Sequence, residues 1–208
     1  MSIGIIGQGF VGNAVFQKFK KYYDIKAYDL KAMLSNATEQ EVLDNDVVFI
    51  CLPTPMNKDG SCYIDIVEAA IKRVFEFGVA TTVVIKSTVP PGTTSKWNKQ
   101  FPSLDIVFNP EFLTEANAVS DYENQTRIIL GGPRKSTTKL KPIFAKVFPK
   151  ASIIKTASTY AEMVKYVTNS FLATKVSFAN EMYQICEGLD VDYDKVIEYA
   201  TYDERLGK

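Results

Sequence analysis

The chain contains no histidine, which removes the side chain that most often moves protons near neutral pH and the commonest metal ligand. Its three cysteines, Cys51, Cys62 and Cys186, are an odd number without a CxxC pair. Neither a zinc ribbon nor a disulfide framework is therefore written into the sequence. Charge of one sign is also missing in excess, since 24 basic residues stand against 24 acidic ones, and no global field favours nucleic acid or an anionic membrane. No apolar run approaches the roughly 20 residues that span a bilayer. Residue 1 leads straight into a strand pattern rather than a basic, then apolar, leader. These absences predict a cytoplasmic, metal-free protein that binds neither nucleic acid nor membrane, and any anion it holds must be bound locally. What is present is a chain of 208 residues, 46% apolar, enough for a substantial core in one large domain or one and a half ordinary ones.

The first stretch organises the rest. Ser2 to Phe16 reads SIGIIGQGFVGNAVF, an apolar run that ends in Gly7, Gly9 and Gly12 before a helix-compatible run from Val11. Strand, tight turn and helix follow in that order. Each glycine removes a side chain where something must pass: the turn, a pyrophosphate, and the close approach of helix to strand. The free N–H groups at the helix start, around Phe10 and Val11, then face the phosphates. The same spacing also suits an ordinary glycine-rich turn. Twenty residues beyond Gly9, Asp29 ends a second short strand pattern, Ile25 to Tyr28. A carboxylate there accepts ribose hydroxyls and repels a 2′-phosphate, favouring NAD over NADP, although a solvated loop aspartate fits the position too.

Beyond Asp29 the spacer to the next apolar run, Asp46 to Leu52, has room for only a turn or two of helix at Thr38 to Leu43, where a standard mononucleotide-binding unit has a full crossover helix. The adenine side of the site is thereby thinned. Cys51-Leu-Pro-Thr-Pro55 then holds the chain extended at the carboxyl edge of the sheet, making Thr54 a candidate contact. Ile64 to Phe77 has helical spacing with Gly78 at the C-cap position, and Thr81 to Ile85 is a β-branched strand. It runs into Lys86-Ser-Thr-Val-Pro-Pro-Gly-Thr-Thr94, a cluster of hydroxyls around a proline turn. A modest helix to Gln100 and a strand from Asp105 to Phe108 follow.

Asn109-Pro110-Glu111 reads as a helix start, with Asn109 as N-cap. Glu111 and Glu115, four apart, would then share one face, either around a ligand or simply as acids favoured by the helix dipole. A strand at Ile128 to Leu130, a basic helix from Lys135 to Val147 and a strand at Ser152 to Ile154 complete the βα pattern. From Thr159 to Glu187 the pattern is one long helix whose apolar positions, from Met163 through Phe171 to Ile185, wrap most of its circumference; burial between domains or subunits is expected. A short helix begins near Asp192. The predicted fold is α/β, a Rossmann-type doubly wound parallel sheet followed by a long helix and a short helical tail. Residues 1–155 would form the NAD-binding domain, and 156–208 a helical segment that begins a central or dimerisation region.

Five motifs in order, GQGFVG, FICLPTP, KSTVPPGTT, NPEFLTEANAVSDY with TRIILGG, and AEMVKYVTNSFLATKVSFANE, resemble the N-terminal part of the UDP-glucose/GDP-mannose dehydrogenase family over nearly the whole chain. The resemblance implies that Gly7, Gly9, Phe10, Val11, Gly12 and Asp29 hold NAD, helped by Thr54, Thr88 and Glu115. It also implies that Glu111, Lys165 and Asn169 face the reacting carbon, with Lys165 steadying oxyanion charge and Glu111 and Thr88 positioning water or the substrate hydroxyl. The implied reaction oxidises the alcohol of a nucleotide sugar, UDP-glucose favoured, to a carboxylate with two NAD, through a cysteine-bound thioester. The family's nucleophilic cysteine belongs to a glycine-rich segment beyond the motifs matched here, and none of Cys51, Cys62 and Cys186 replaces it by position. Two departures stand out: that cysteine, and the short segment between Asp29 and Asp46, where Lys31 falls near the position of a lysine that the family often has by the ribose.

Two other readings remain open. A one-step 3-hydroxyacid dehydrogenase also pairs such a domain with a lysine and an asparagine one turn apart, although the PEFLTE and STVPPG segments argue against it. A noncatalytic binding or assembly module would use the apolar helix of residues 159–187, the same helix through which a homodimer is expected.

Overall fold

A computed structural model describes residues 1–114 and 116–206. The chain divides into two compact units, residues 1–165 and 166–208.

In the first unit, strands β1 (Ile3–Ile6), β2 (Ile25–Tyr28), β3 (Val47–Ile50), β4 (Thr82–Ile85), β5 (Asp105–Phe108), β6 (Arg127–Gly131) and β7 (Ser152–Thr156) form one sheet in the order β2-β1-β3-β4-β5-β6-β7. Helices α1 (Phe10–Phe19), α2 (Glu39–Leu43), α3 (Asp65–Phe77), α4 (Thr93–Gln100), α5 (Ala118–Glu123) and α6 (Arg134–Val147) connect the strands. Helix α7 (Ser158–Gly188) begins in this unit. The strands are short and β-branched, and their period of two sends alternate side chains to opposite faces. Val47 and Phe49 of β3 pack with Val15 and Phe19 of α1 and Phe144 of α6, whereas Val48 and Ile50 pack with Val67, Ile71 and Val74 of α3 and with Trp97 of α4. Phe19 stands edge-on to Phe49 and Phe144, with ring centroids 5.2 and 5.5 Å apart, a favoured aromatic geometry. Covering both faces is what allows strands with no polar face.

Five of the six neighbouring strand pairs are parallel, as expected; β5 and β6 are antiparallel, meeting at Phe108 and Gly131. The reversal turns β6 and β7 together against the first five strands.

The short spacer after Asp29 has a visible consequence. It folds as a single 3-10 turn, Ala32–Leu34, and the five-residue α2, whose start is fixed by a reciprocal capping box between Thr38 and Glu41. Among the described residues no further strand pairs with β2, so β2 is the sheet edge. Asn36 covers that edge: its Oδ1 accepts from Ala27 N at 2.6 Å, its Nδ2 donates to the Ile25 carbonyl at 2.9 Å, and its own N–H donates to the Ala27 carbonyl at 3.1 Å. One side chain thus occupies ladder positions that would otherwise invite another chain.

The second unit holds the later part of α7 and helix α8 (Tyr193–Ala200). Asp192 caps α8 by accepting from Asp194 N and Lys195 N. Tyr183 packs edge-on against Tyr193 at 5.5 Å. Phe171 and Phe178 on α7 are 64% and 62% exposed in this chain. No helix among the described residues is long and apolar enough to cross a membrane.

Candidate functional site

The glycine turn lies at the carboxyl end of β1, where the order of the sheet reverses: β2 is on one side of β1, and β3 and then β4 are on the other. Ligands of open α/β sheets enter at such a switch point. Gly7 sits at φ +91°, in the left-handed region that an L side chain rarely adopts. A Cβ on Gly12 would stand 1.9 Å from the Gly7 carbonyl oxygen, so this glycine lets α1 approach the turn. Gly9 is different in kind, because a Cβ there would meet nothing within 4 Å. Gly9 is the N-cap of α1 with no side-chain cap, and the first turn of α1 carries no acidic residue. The start of α1 is therefore open to an anion approaching backbone N–H groups. A cavity of about 380 Å³ lies against Gly7, Gly9, Phe10 and Val11, and these features fit a dinucleotide pyrophosphate.

Asp29, at the end of β2, turns toward this loop. Its Oδ2 accepts from Gln8 N at 2.7 Å and its Oδ1 from Lys31 N at 2.9 Å. The carboxylate thus braces the glycine turn from the side, and its remaining lone pairs are available to a ligand. A second cavity, about 610 Å³, shares Gly7, Asp29, Leu52 and Pro53 with the first and extends toward Leu30, Ile66 and Arg73. Arg73 Nε pairs with Glu39 Oε1 at 2.7 Å along this wall. Neither residue carries a sequence signal, because the pairing is made between α2 and α3.

On the other side of the turn, the ends of β3 and β4 are lashed together. Thr54 Oγ1 donates to the Thr88 carbonyl at 2.8 Å, and Leu52 N donates to Ser87 Oγ at 3.0 Å. Cys51 is packed so that burial pushes its thiol up to about 12, which keeps it from acting as a thiolate near neutral pH. Lys86, directly after β4, is 2% exposed. Its Nζ donates to Asn109 Oδ1 at 2.9 Å and lies 5.2 Å from the Tyr122 ring centre. Burial pulls this lysine down from its ordinary value to about 8.

The expected helix start at Asn109-Pro110-Glu111 does not form. Residues 109–114 are irregular, and α5 begins only at Ala118. Tertiary partners outcompete the local cap: Asn109 Nδ2 donates to the Ile129 carbonyl at 2.8 Å while its Oδ1 accepts from Lys86. Glu111 is held by Lys165 of α7, whose Nζ donates both to the Glu111 carbonyl at 2.6 Å and to Oε1 at 2.7 Å. The same-face pairing of Glu111 with Glu115 therefore has no helix to rest on, and Glu115 itself lies outside the described residues. The Glu111–Lys165 pair is buried, with side chains 14% and 5% exposed. Two cations lie over the Phe112 ring, with Arg127 Cζ 4.5 Å and Lys165 Nζ 5.5 Å from its centre. Asn169 follows four residues further along α7.

Glu162 is a position that sequence reading passed over. It is fully buried in the first turns of α7 and accepts from Gly92 N at 2.6 Å and Thr94 N at 2.8 Å, capping α4 from a distance. Its signal is faint: an acid three residues before Lys165, inside an otherwise apolar stretch.

Known proteins give the context for this geometry. Residues 25–149 match the model of the UDP-glucose/GDP-mannose dehydrogenase family NAD binding domain, and residues 159–208 match that of the family's central domain. A UDP-glucose 6-dehydrogenase of Bacillus subtilis, TuaD, is 35% identical over 188 residues, covering 86% of this chain and 41% of its own. One from Haloferax volcanii, AglM, is 36% identical and covers 80% and 43%. A UDP-glucose dehydrogenase structure from Pyrobaculum islandicum superimposes with a TM-score of 0.87 at 29% identity, over 98% of this chain and 57% of that one. The chain thus spans about two-fifths of the length of these curated relatives. With a seven-stranded dinucleotide fold, an open glycine turn and both family models matched in sequence order, the chain belongs to the UDP-glucose/GDP-mannose dehydrogenase family and carries its NAD-binding domain.

Proposed function

We propose that residues 1–208 provide the NAD site and part of the catalytic wall of a nucleotide-sugar oxidation, alcohol to carboxylate, with UDP-glucose as the favoured substrate class. NAD supplies the hydride acceptor. Gly7, Gly9, Phe10, Val11 and Gly12 bind the pyrophosphate through backbone groups and the helix dipole, and Asp29 accepts the adenosine ribose hydroxyls. Thr54, by holding the Thr88 carbonyl, keeps the β3 and β4 edges in register, and Thr88 positions the substrate hydroxyl; Glu115 is assigned to the nicotinamide half. In this reading residues 1–155 are the cofactor domain and 156–208 the start of the central region.

The observation that carries the reading is the buried Glu111–Lys165 pair at the same sheet edge as the glycine turn. Two of the three ammonium donors of Lys165 are directed at Glu111, which fixes the third for an oxyanion developing on the substrate. A preorganised cation in a water-poor site stabilises such charge more than one that must reorganise. Asn169 is assigned a second polar contact to the same reacting group. In this reading none of Cys51, Cys62 and Cys186 supplies the thiol that would form the thioester; Cys51, for its part, is held protonated by burial. Purified protein should bind NADH but form little NADH from UDP-glucose and NAD. Sustained release of two NADH per sugar by residues 1–208 alone would overturn this division of labour.

The exposed apolar face of α7, with Val167, Phe171 and Phe178 each more than half accessible, supports self-association through residues 159–187 as a homodimer. Sedimentation of a monomer at all tested concentrations would refute that part.

A further inference from the structure

Lys86 is buried, and among the described residues no carboxylate lies within ion-pair distance of it: the nearby Glu111 is paired with Lys165, and the Lys86 Nζ donates to the neutral Asn109 Oδ1. A desolvated charge left in this state is costly. Its place in the sheet says what the charge would act on. Asp29 follows β2 on one side of the glycine turn, whereas Cys51 and Lys86 follow β3 and β4 on the other. Lys86 and Ser87 wall the same cavity as Gly7, Gly9 and Val11. With the pyrophosphate at the start of α1 and adenosine on the Asp29 side, the nicotinamide half runs toward Lys86. That ring carries a positive charge in NAD⁺ and none in NADH.

We propose that Lys86 is a charge-selecting residue of the dinucleotide site, whose buried ammonium favours the neutral, reduced nicotinamide over the cationic one. The proposal rests on the NAD-binding reading and adds to it a discrimination between the two redox forms. The pyrophosphate is common to both forms, so its attraction to Lys86 cancels in their ratio. The groups facing Lys86 are Cys51 after β3, Asn109 and Glu111 after β5, Tyr122 on α5, Lys165 on α7, and Asp29 across the cavity. Burial pushes the Cys51 thiol up to about 12 and the Tyr122 phenol well upward, and Glu111 and Lys165 are paired with each other. Lys86, drawn down to about 8, is the member of the cluster moved into the weakly alkaline range. Its ammonium is present below that pH and lost above it, so the preference for NADH should fade as pH rises from 7 to 9.5.

The test is titration of NADH, NAD⁺ and ADP-ribose into wild-type, Lys86→Met and Lys86→Arg protein at pH 7 and 9.5. In wild-type protein the ratio of NAD⁺ to NADH dissociation constants should fall by about tenfold between the two pH values, the scale expected for two nearby charges at a partly screened site. Lys86→Met should show the low ratio at both pH values. Lys86→Arg, which stays charged, should keep the high ratio at both, and it guards against a folding defect peculiar to the methionine variant. An equal weakening of all three ligands in Lys86→Met, with the ratio unchanged, would make Lys86 a pyrophosphate counter-ion and overturn the proposal. Wild-type protein that bound neither NADH nor ADP-ribose would remove the dinucleotide site itself, a failure distinct from an unchanged ratio.

Discussion

Replacing Gly9 and Gly12 separately by alanine should give opposite results, although both belong to one motif. At Gly9 the backbone lies at φ −68° and ψ −163°, a conformation open to alanine, and the added methyl meets nothing within 4 Å. Without ligand, Gly9→Ala should therefore be neutral or stabilising by up to about 1 kcal/mol through the unfolded chain. That raises the melting temperature by about 2–4 °C at this chain length. The space the methyl fills is the approach of a pyrophosphate to the α1 N-terminus, and overpacking of about 1–3 kcal/mol should weaken NADH by about 5- to 150-fold. At Gly12 the methyl carbon would stand 1.9 Å from the Gly7 carbonyl oxygen, 2.9 Å from its carbon and 3.3 Å from the Cys51 Cβ. Helix α1 must retreat by about an ångström, lifting Ala14, Val15 and Phe19 from a core in which each is fully buried, at a cost of about 3 kcal/mol or more. Urea unfolding and NADH fluorescence titration on the same preparations separate the two effects. Gly9→Ala protein that binds NADH like wild type, or that loses as much stability as Gly12→Ala, would refute the assignment of Gly9 to ligand approach.

Lys86 makes a second, ligand-free prediction. Because its folded value of about 8 lies below the ordinary lysine value near 10.4, the unfolded chain holds the extra proton between these values and stability rises with pH there. Urea unfolding should show wild-type protein gaining about 2 kcal/mol relative to Lys86→Met between pH 7 and 9.5; parallel curves would mean that the ammonium is not desolvated. Glu162→Gln replaces one acceptor oxygen facing Gly92 N or Thr94 N with a donor, and should cost about 2 kcal/mol. The loss should be visible in urea titration and as faster amide exchange around residues 92–94. Asn36→Ala removes the side chain's two bonds to β2. It should lower stability by about 1–2 kcal/mol and promote aggregation on heating, followed by light scattering.

Much of the first unit is legible in the sequence because its signals are local. The strands Ile25–Tyr28 and Asp105–Phe108 have the bounds their apolar runs suggest, and α3 ends at Gly78, which takes φ +81° as a C-cap glycine should. The glycine turn, the thinned segment after Asp29 and, beyond the first unit, the start of a short helix near Asp192 are equally readable, since each depends on residues only a few positions apart. What the sequence could not rank was competition between a local preference and a distant partner. Asn109-Pro110 has the chemistry of a helix start, yet Asn109 is claimed by Lys86 and by the Ile129 carbonyl, 23 and 20 residues away.

The candidate site divides along the same line. Residue types and their order pointed to Gly7, Gly9, Gly12, Asp29, Glu111 and Lys165. Only the tertiary structure brought Lys165 onto Glu111 across 54 residues, carried Glu162 to the start of α4 across 70, and left Lys86 buried with a neutral acceptor. A turn or a strand is settled by sterics and periodicity within a few residues. The charge state and partners of a buried side chain are settled by which groups the sheet brings within about 3 Å of it and by how much water it excludes, and that information exists only once the chain has folded.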